Sequence, residues 1–239
     1  MKLQSALRLI YPPQCLTCGA AVEDEMSLCG DCWKETYFID GLACTTCGLP
    51  LPGKDREEDV QCDDCMTIAR PWRFGRAAML YRGKGRELVL RLKHGDRSDF
   101  ARPAAHWMAR VAPPVEPNTA IVPVPLHWLR QLKRRYNQSA LIAKILADDL
   151  GAQYLPDSLH RPKATQALDG KSRDNRFASL QGQIIPHPKR GHHLAGRHVL
   201  LVDDVMTSGA TLAACAEACI SAGAREVDVL VLARVSKDD

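Results

Sequence analysis

The first 65 residues carry four Cys-x-x-Cys pairs in succession: Cys15/Cys18, Cys29/Cys32, Cys44/Cys47 and Cys62/Cys65. Two residues between cysteines let both sulfurs reach one tetrahedral ion from a tight turn, and two such turns complete a zinc site of four thiolates. Eight cysteines therefore make two sites, and because no histidine precedes His94, every ligand is sulfur. Gly19 and Gly48 follow the second cysteine of pairs one and three, where the turn needs a residue tolerant of positive φ. Disulfides are the alternative, but they belong to oxidising compartments. A redox-active pair is usually single and sits beside a βαβ unit. Sequential pairing would group Cys15, Cys18, Cys29 and Cys32, then Cys44, Cys47, Cys62 and Cys65; a cross-braced arrangement would alternate the pairs. The ten and fourteen residues that separate the paired turns suit a β-hairpin each and favour the sequential arrangement. All four positions of each site are filled, so no place remains for a water and the two Zn²⁺ are structural. A segment this short cannot bury its own core, so the metal supplies its folding free energy. The expected organisation is a double zinc ribbon module over residues 1–70 and a second part over residues 71–239, with chelation unfolding residues 15–65 and leaving the rest intact. The remaining cysteines, Cys215 and Cys219, stand at i and i+4 on an expected helix and read as core packing.

Charge divides along the same line. Residues 1–75 hold 7 Lys and Arg against 12 Asp and Glu, and the rest of the 239-residue chain holds 25 against 16. A basic second part suits phosphate-bearing partners, although a solvated basic surface gives the same count. Gln4, Ser5 and Arg8 interrupt the apolar stretch that a secretory signal needs, and Pro12-Pro13 end it. No segment approaches the ~20 apolar residues of a membrane span. The expected compartment is the cytoplasm. Leu3, Leu7 and Ile10 would share one face of a short helix, whose simplest role is packing.

After Pro71 the pattern alternates between strands and helices. Strands are expected at 77–81, 119–124, 152–155, 198–203 and 227–233, and helices at 86–93, 99–111, 138–150 and 209–222. Gly151 and Gly223 follow the last two helices as terminators. Residues 119–124 and 198–203 are near-continuous apolar runs, as in strands buried on both faces. Strand, helix and strand in the last forty residues make a βαβ crossover and argue an α/β fold with a mostly parallel twisted sheet covered on both faces. Residues 160–193 are polar and basic, with Arg161, Lys163, Lys171, Arg173 and Arg176, and read as a long loop with short structure.

The chemistry concentrates where the strand at 198–203 ends. Asp203 and Asp204 place two carboxylates at the carboxyl end of a sheet strand, where open α/β sheets bind ligands. Two carboxylates suit the paired hydroxyls of a sugar diol. Thr207, Ser208, Gly209, Ala210 and Thr211 follow at a helix N-terminus, where backbone N–H groups, hydroxyls and the helix dipole wrap a phosphate. A helix cap needs one such residue; two acids and five small residues exceed it. Diol beside phosphate reads as ribose 5-phosphate. Repulsion between the carboxylates is relieved by partial protonation or a nearby Mg²⁺.

This segment resembles the phosphoribosyl-pyrophosphate (PRPP) motif of type I phosphoribosyltransferases. With the cysteine block it resembles the ComF family, a double zinc ribbon followed by a phosphoribosyltransferase domain. Pro123-Val124-Pro125-Leu126 and Arg134-Arg135-Tyr136-Asn137-Gln138 are similar to further elements of that family, and Leu92-Lys93-His94 to an early one. Arg135 replaces the family's usual glycine, and in the long loop Gln166, Leu168 and Arg173 stand at altered spacing. The resemblance implies a type I phosphoribosyltransferase fold, a substrate-binding set of Asp203, Asp204, residues 207–211 and Arg134, and Mg²⁺ arriving with PRPP rather than at a fixed protein site. It also implies a role in DNA uptake or in the use of external DNA, with single-stranded DNA and the uptake machinery as partners. Three functions stay open: a protein that binds PRPP or a nucleotide and handles DNA, an Mg-dependent phosphoribosyltransferase of nucleotide metabolism, and a zinc-ribbon adaptor without catalysis. No general base for an acceptor is legible, and Trp107, Trp128 and Tyr136 read as packing before base stacking.

Overall fold

In the computed structural model, residues 11–53, 59–94, 98–126, 136–162 and 182–236 are described. Each half of the cysteine block opens with the same turn. Gly19 N donates to Cys15 O and Gly48 N to Cys44 O, and Cys15 N and Cys44 N close the turns on Ala20 O and Leu49 O. Gly19 and Gly48 adopt φ of 78° and 69°, the conformation expected of them. The second pair of each half departs from the expected hairpin. Cys29 and Cys62 are the N-caps of two short helices, α1 (Gly30–Lys34) and α2 (Asp63–Thr67), so that Cys32 and Cys65 stand one helical turn on. An acid in each first turn, Asp31 and Asp63, favours that helix start.

The second part builds one sheet from β1 (Gly75–Leu80), β2 (Thr119–Pro123), β3 (Gln153–Tyr154), β6 (His198–Met206) and β7 (Glu226–Arg234). The order is β1-β7-β6-β2-β3, and every pairing is parallel. The helices are α3 (Gly83–His94), α4 (Ala101–Ala109, after a 3-10 turn at Ser98–Phe100), α5 (Gln138–Leu150) and α6 (Ala210–Ser221). The parallel α/β class is as expected; element ends move by one to three residues. Within the expected loop, β4 (Leu159–His160) and β5 (Ile185–Pro186) form a small antiparallel pair. Residues 163–181, including Gln166, Leu168 and Arg173, lie outside the described residues, as do Leu3, Leu7, Ile10 and Trp128.

Alternation along the strands divides the core. Ile121, Leu200, Val202, Leu230 and Leu232 face α3, α4 and α5, whereas Ala120, Val122, Val199, Leu201, Val229 and Val231 face α6. Cys215 and Cys219 are fully buried in that second layer, as core residues. Trp107 is core as well, edge-on to Phe38 and Phe100.

The cysteine block does not stand apart from this core. Cys44, Cys47, Cys62 and Cys65 belong to the same apolar cluster as α6 and the sheet, and Leu16 joins the cluster on the other face. Residues 37–39 lie antiparallel along the outer edge of β1, with Ile39 N donating to Ala78 O and Leu80 N to Tyr37 O. Gly75 N donates to Thr45 O, and the indole Nε1 of Trp72 to Thr46 O at 2.6 Å. A Cβ on Gly48 would sit 2.7 Å from Ala77 N, so only glycine admits this approach. From α3, Arg91 donates to Leu16 O and Thr17 O, in the first turn of the first ribbon. The ribbons thus cover an edge that would otherwise offer unpaired backbone groups.

Candidate functional site

β6 runs three residues beyond the expected end at Asp203. Asp203, Val205 and Met206 pair with Val231, Ala233 and Arg234, so β7 holds the two acids inside the strand. Neighbouring strand residues turn to opposite sides, and the carboxylates accordingly take different partners. Asp203 Oδ1 accepts from Ser139 Oγ in the first turn of α5 at 2.8 Å and from Asp204 N at 2.9 Å. Asp204 Oδ1 lies 3.2 Å from Lys93 Nζ, at the end of α3. Burial, with the adjacent Asp204 charge adding to it, pushes the Asp203 carboxyl up to about 7. The pair therefore shares less than two full negative charges near neutral pH.

The turn after β6 leads directly into α6. Thr207 is exposed, Ser208 half-buried, and Gly209 is the N-cap with φ 80°. No side chain caps α6, and Ser208 Oγ reaches only Ala210 N at 3.4 Å. Ser208 therefore takes one N–H of the first turn through a long bond, Thr207 takes none, and the glycine N-cap leaves the remaining first-turn N–H groups to an anion. Across the strand ends, Asn137 caps α5. Its Oδ1 accepts from Ser139 N and Ala140 N, while its Nδ2 donates to Val124 O at 3.1 Å, tying α5 to the end of β2. Tyr136 donates its hydroxyl to Leu92 O, a packing role. Arg134 and Arg135 lie outside the described residues.

Four residues that no motif announced, Ser139, Arg70, Trp72 and Arg234, surround this junction together with Lys93 of the Leu92-Lys93-His94 element. Arg70 Nη1 donates to Ser208 O at 2.8 Å, and its guanidinium lies 5.4 Å from the Trp72 ring centre. Arg234, nearly buried in β7, donates through Nη1 to Thr207 O at 2.7 Å and Met206 O at 3.3 Å. Its Nη2 lies 3.9 Å from Cys47 Sγ. A buried arginine at the end of an apolar strand was the one available signal.

The eight cysteines gather into two groups, Cys15, Cys18, Cys29, Cys32 and Cys44, Cys47, Cys62, Cys65, with the sulfurs of each group within 4.8 Å of one another. This is the sequential arrangement. All are free thiols. The separations Cys18–Cys29 of 3.6 Å and Cys47–Cys62 of 3.7 Å are near the ~3.8 Å between sulfurs in a tetrahedron with ~2.3 Å metal–sulfur bonds. Within the second group, hydrogen bonds from Cys47 and Cys65 hold the Cys44 thiol far down, while the bond to Cys44 pushes Cys65 far up. Four sulfurs this close suit a cation better than four protons. The groups are two four-cysteine sites compatible with structural zinc.

Comparison with known proteins agrees with this architecture. Residues 6–66 match the double zinc ribbon domain and residues 137–238 the phosphoribosyl transferase domain. DNA utilization protein YhgH of Escherichia coli K12 is 27% identical over 236 residues, covering 95% of this chain and 99% of that protein. Competence protein ComFC of Bacillus subtilis is 25% identical over 205 residues, covering 80% and 77%. Competence protein F of Haemophilus influenzae is 35% identical over 115 residues, covering 48% and 50%. Among the described residues no helix is long and apolar enough to cross a membrane. With two four-cysteine ribbons docked on a parallel α/β sheet, the chain joins a double zinc ribbon to a phosphoribosyltransferase domain and is similar over most of its length to proteins named for DNA utilization and competence.

Proposed function

We propose that the chain binds PRPP, or a related ribose 5-phosphate ligand, at the junction of β6 and α6, and that it serves the uptake or handling of DNA in the cytoplasm. The observation that carries this reading is the junction itself: Asp203 and Asp204, followed by an α6 start that no side chain caps. In this reading the two carboxylates accept from the ribose hydroxyls. The hydroxyls and N–H groups of Thr207, Ser208, Gly209, Ala210 and Thr211 hold the 5-phosphate. Mg²⁺ comes with the pyrophosphate, and Arg134 and Lys93 supply cationic partners for it. The metal in each four-cysteine site is zinc and is structural. The assignment to DNA is supported by the names of the relatives and by the basic balance after residue 75.

The test is calorimetric titration with PRPP and Mg²⁺, beside single-stranded DNA binding measured against salt. Asp204→Asn removes a charged acceptor and should weaken PRPP roughly 10- to 100-fold, as hydrogen bonds to charged groups are worth about 1.5–3 kcal/mol. A wild-type protein that ignores millimolar PRPP would overturn the reading. PRPP consumption across a panel of acceptors, abolished in Asp204→Asn, would establish the transferase. Binding of neither PRPP nor DNA would leave the adaptor.

A further inference from the structure

We infer that the second four-cysteine site and the phosphate-binding turn are one coupled unit, joined by Arg234 and Arg70. The inference rests on the PRPP reading and adds to it two positioning residues and a dependence on the second metal alone. The argument begins with the peptide planes. No cis peptide occurs among the described residues. In a trans peptide the C=O and the following N–H point to opposite sides. Arg234 holds the carbonyl of Thr207 at 2.7 Å and reaches that of Met206 at 3.3 Å, which also accepts from Val235 N at 3.0 Å, and Arg70 holds that of Ser208. With three successive carbonyls held by the end of β7 and the two arginines, the N–H groups of Thr207, Ser208 and Gly209 turn away from those partners. Successive N–H groups on one side are what an anion cradle requires.

Both clamps are themselves anchored in the second ribbon. Arg234 Nη2 is 3.9 Å from Cys47 Sγ, and a zinc centre of four thiolates carries a net negative charge that this guanidinium meets. Arg70 lies over Trp72, whose indole donates to Thr46 O, the residue before Cys47. Gly209 leaves no slack, since a Cβ there would sit 2.9 Å from Arg70 Nη1 and 3.3 Å from the Trp72 ring. The first ribbon has no comparable tie among the described residues: its arginine contact comes from Arg91 on α3, at Leu16 O and Thr17 O. Metal at the second site therefore favours the cradle, and by linkage an occupied cradle tightens that metal.

The experiment compares wild type with Arg234→Gln, Arg234→Lys, Arg70→Ala and Arg91→Ala, reading PRPP affinity, zinc content, melting temperature and equilibrium zinc competition against a chelator. Arg234→Lys keeps the charge but cannot fork between Thr207 O and Cys47 Sγ. It and Arg234→Gln should each lose about ten-fold in PRPP affinity while keeping two zinc ions. Arg70→Ala should lose affinity similarly, and it stands in if the Arg234 variants do not fold. Arg91→Ala should bind PRPP as wild type does. In wild type, saturating PRPP should shift one of the two zinc ions to higher chelator concentration, and in Arg234→Gln it should shift neither. If wild type does not bind PRPP, the underlying reading falls. If it binds and the Arg234 and Arg70 variants bind equally well, or PRPP moves neither zinc, the coupling falls.

Discussion

Asp203 is a carboxyl that the fold holds against its ordinary preference for charge. Burial and the neighbouring Asp204 charge raise its carboxyl to about 7, well above the ordinary value near 3.9. A group whose pKa rises on folding contributes stability that is complete below its unfolded value and is lost as the pH climbs through its folded value. Wild type should therefore lose stability between about pH 4 and pH 7, and Asp203→Asn should not follow it. The variant's advantage in thermal melts should grow by about 1–2 kcal/mol between pH 5 and pH 8, a figure discounted because the residue keeps some contact with solvent. A pH-independent difference would show that Asp203 ionises freely.

At the scale of the element, β6 owes its length to β7 and its start to a buried polar group. His198, its first residue, shares Nδ1 with Thr119 Oγ1 at 2.9 Å and Nε2 with Asp228 Oδ2 at 2.8 Å. Asp228 also accepts from Phe74 N and from Arg73. Burial raises its carboxyl, but the bonds from His198, Arg73 and Phe74 outweigh that and bring it below its ordinary value. Here the linkage runs the other way: the stability is present above the unfolded value near 3.9 and lost as the pH falls through the folded one. Asp228→Asn should cost about 2–3 kcal/mol at pH 7, with a smaller gap below pH 4, measured by denaturant unfolding. Nothing in the sequence marked this cluster, because Thr119, His198 and Asp228 come from three strands. β2, β6 and β7 were legible because strands buried on both faces read as apolar runs. The end of β6 was not, since Asp203 and Asp204 broke the run while pairing with β7 continued. The turn from Thr207 to Thr211 was legible as a local pattern of small residues. Ser139, Arg70 and Arg234 were not, because they converge from three separate segments, and Lys93 stood out only within the Leu92-Lys93-His94 element. The docking of the ribbons was equally hidden: Tyr37, Thr45 and Thr46 make it with backbone carbonyls, which any residue carries.

For the whole molecule, the two ribbons are unequal in how they meet the remainder of the chain. The first group of four cysteines includes the exposed Cys18, whereas all four of the second are buried in the core shared with α6. A chelator should remove zinc in two phases. The first should leave the far-ultraviolet dichroism of the sheet and helices largely intact, and the second should lower the melting temperature of the whole chain. A single phase, or release of both ions with the melting transition unchanged, would show that the ribbons are equivalent or detachable. The strand order carries a further consequence. β1 is hydrogen-bonded to β7, and the second ribbon takes its arginine from the end of β7, so the two ends of the fold are closed by the same strand. During synthesis on the ribosome, the ribbons emerge some 170 residues before the strand that completes their seat, and closing so long a loop is entropically costly and slow. Early metal capture would then have a kinetic use: it would keep the cysteines in compact knuckles until β7 arrives to join ribbon, sheet edge and the turn at residues 207–209.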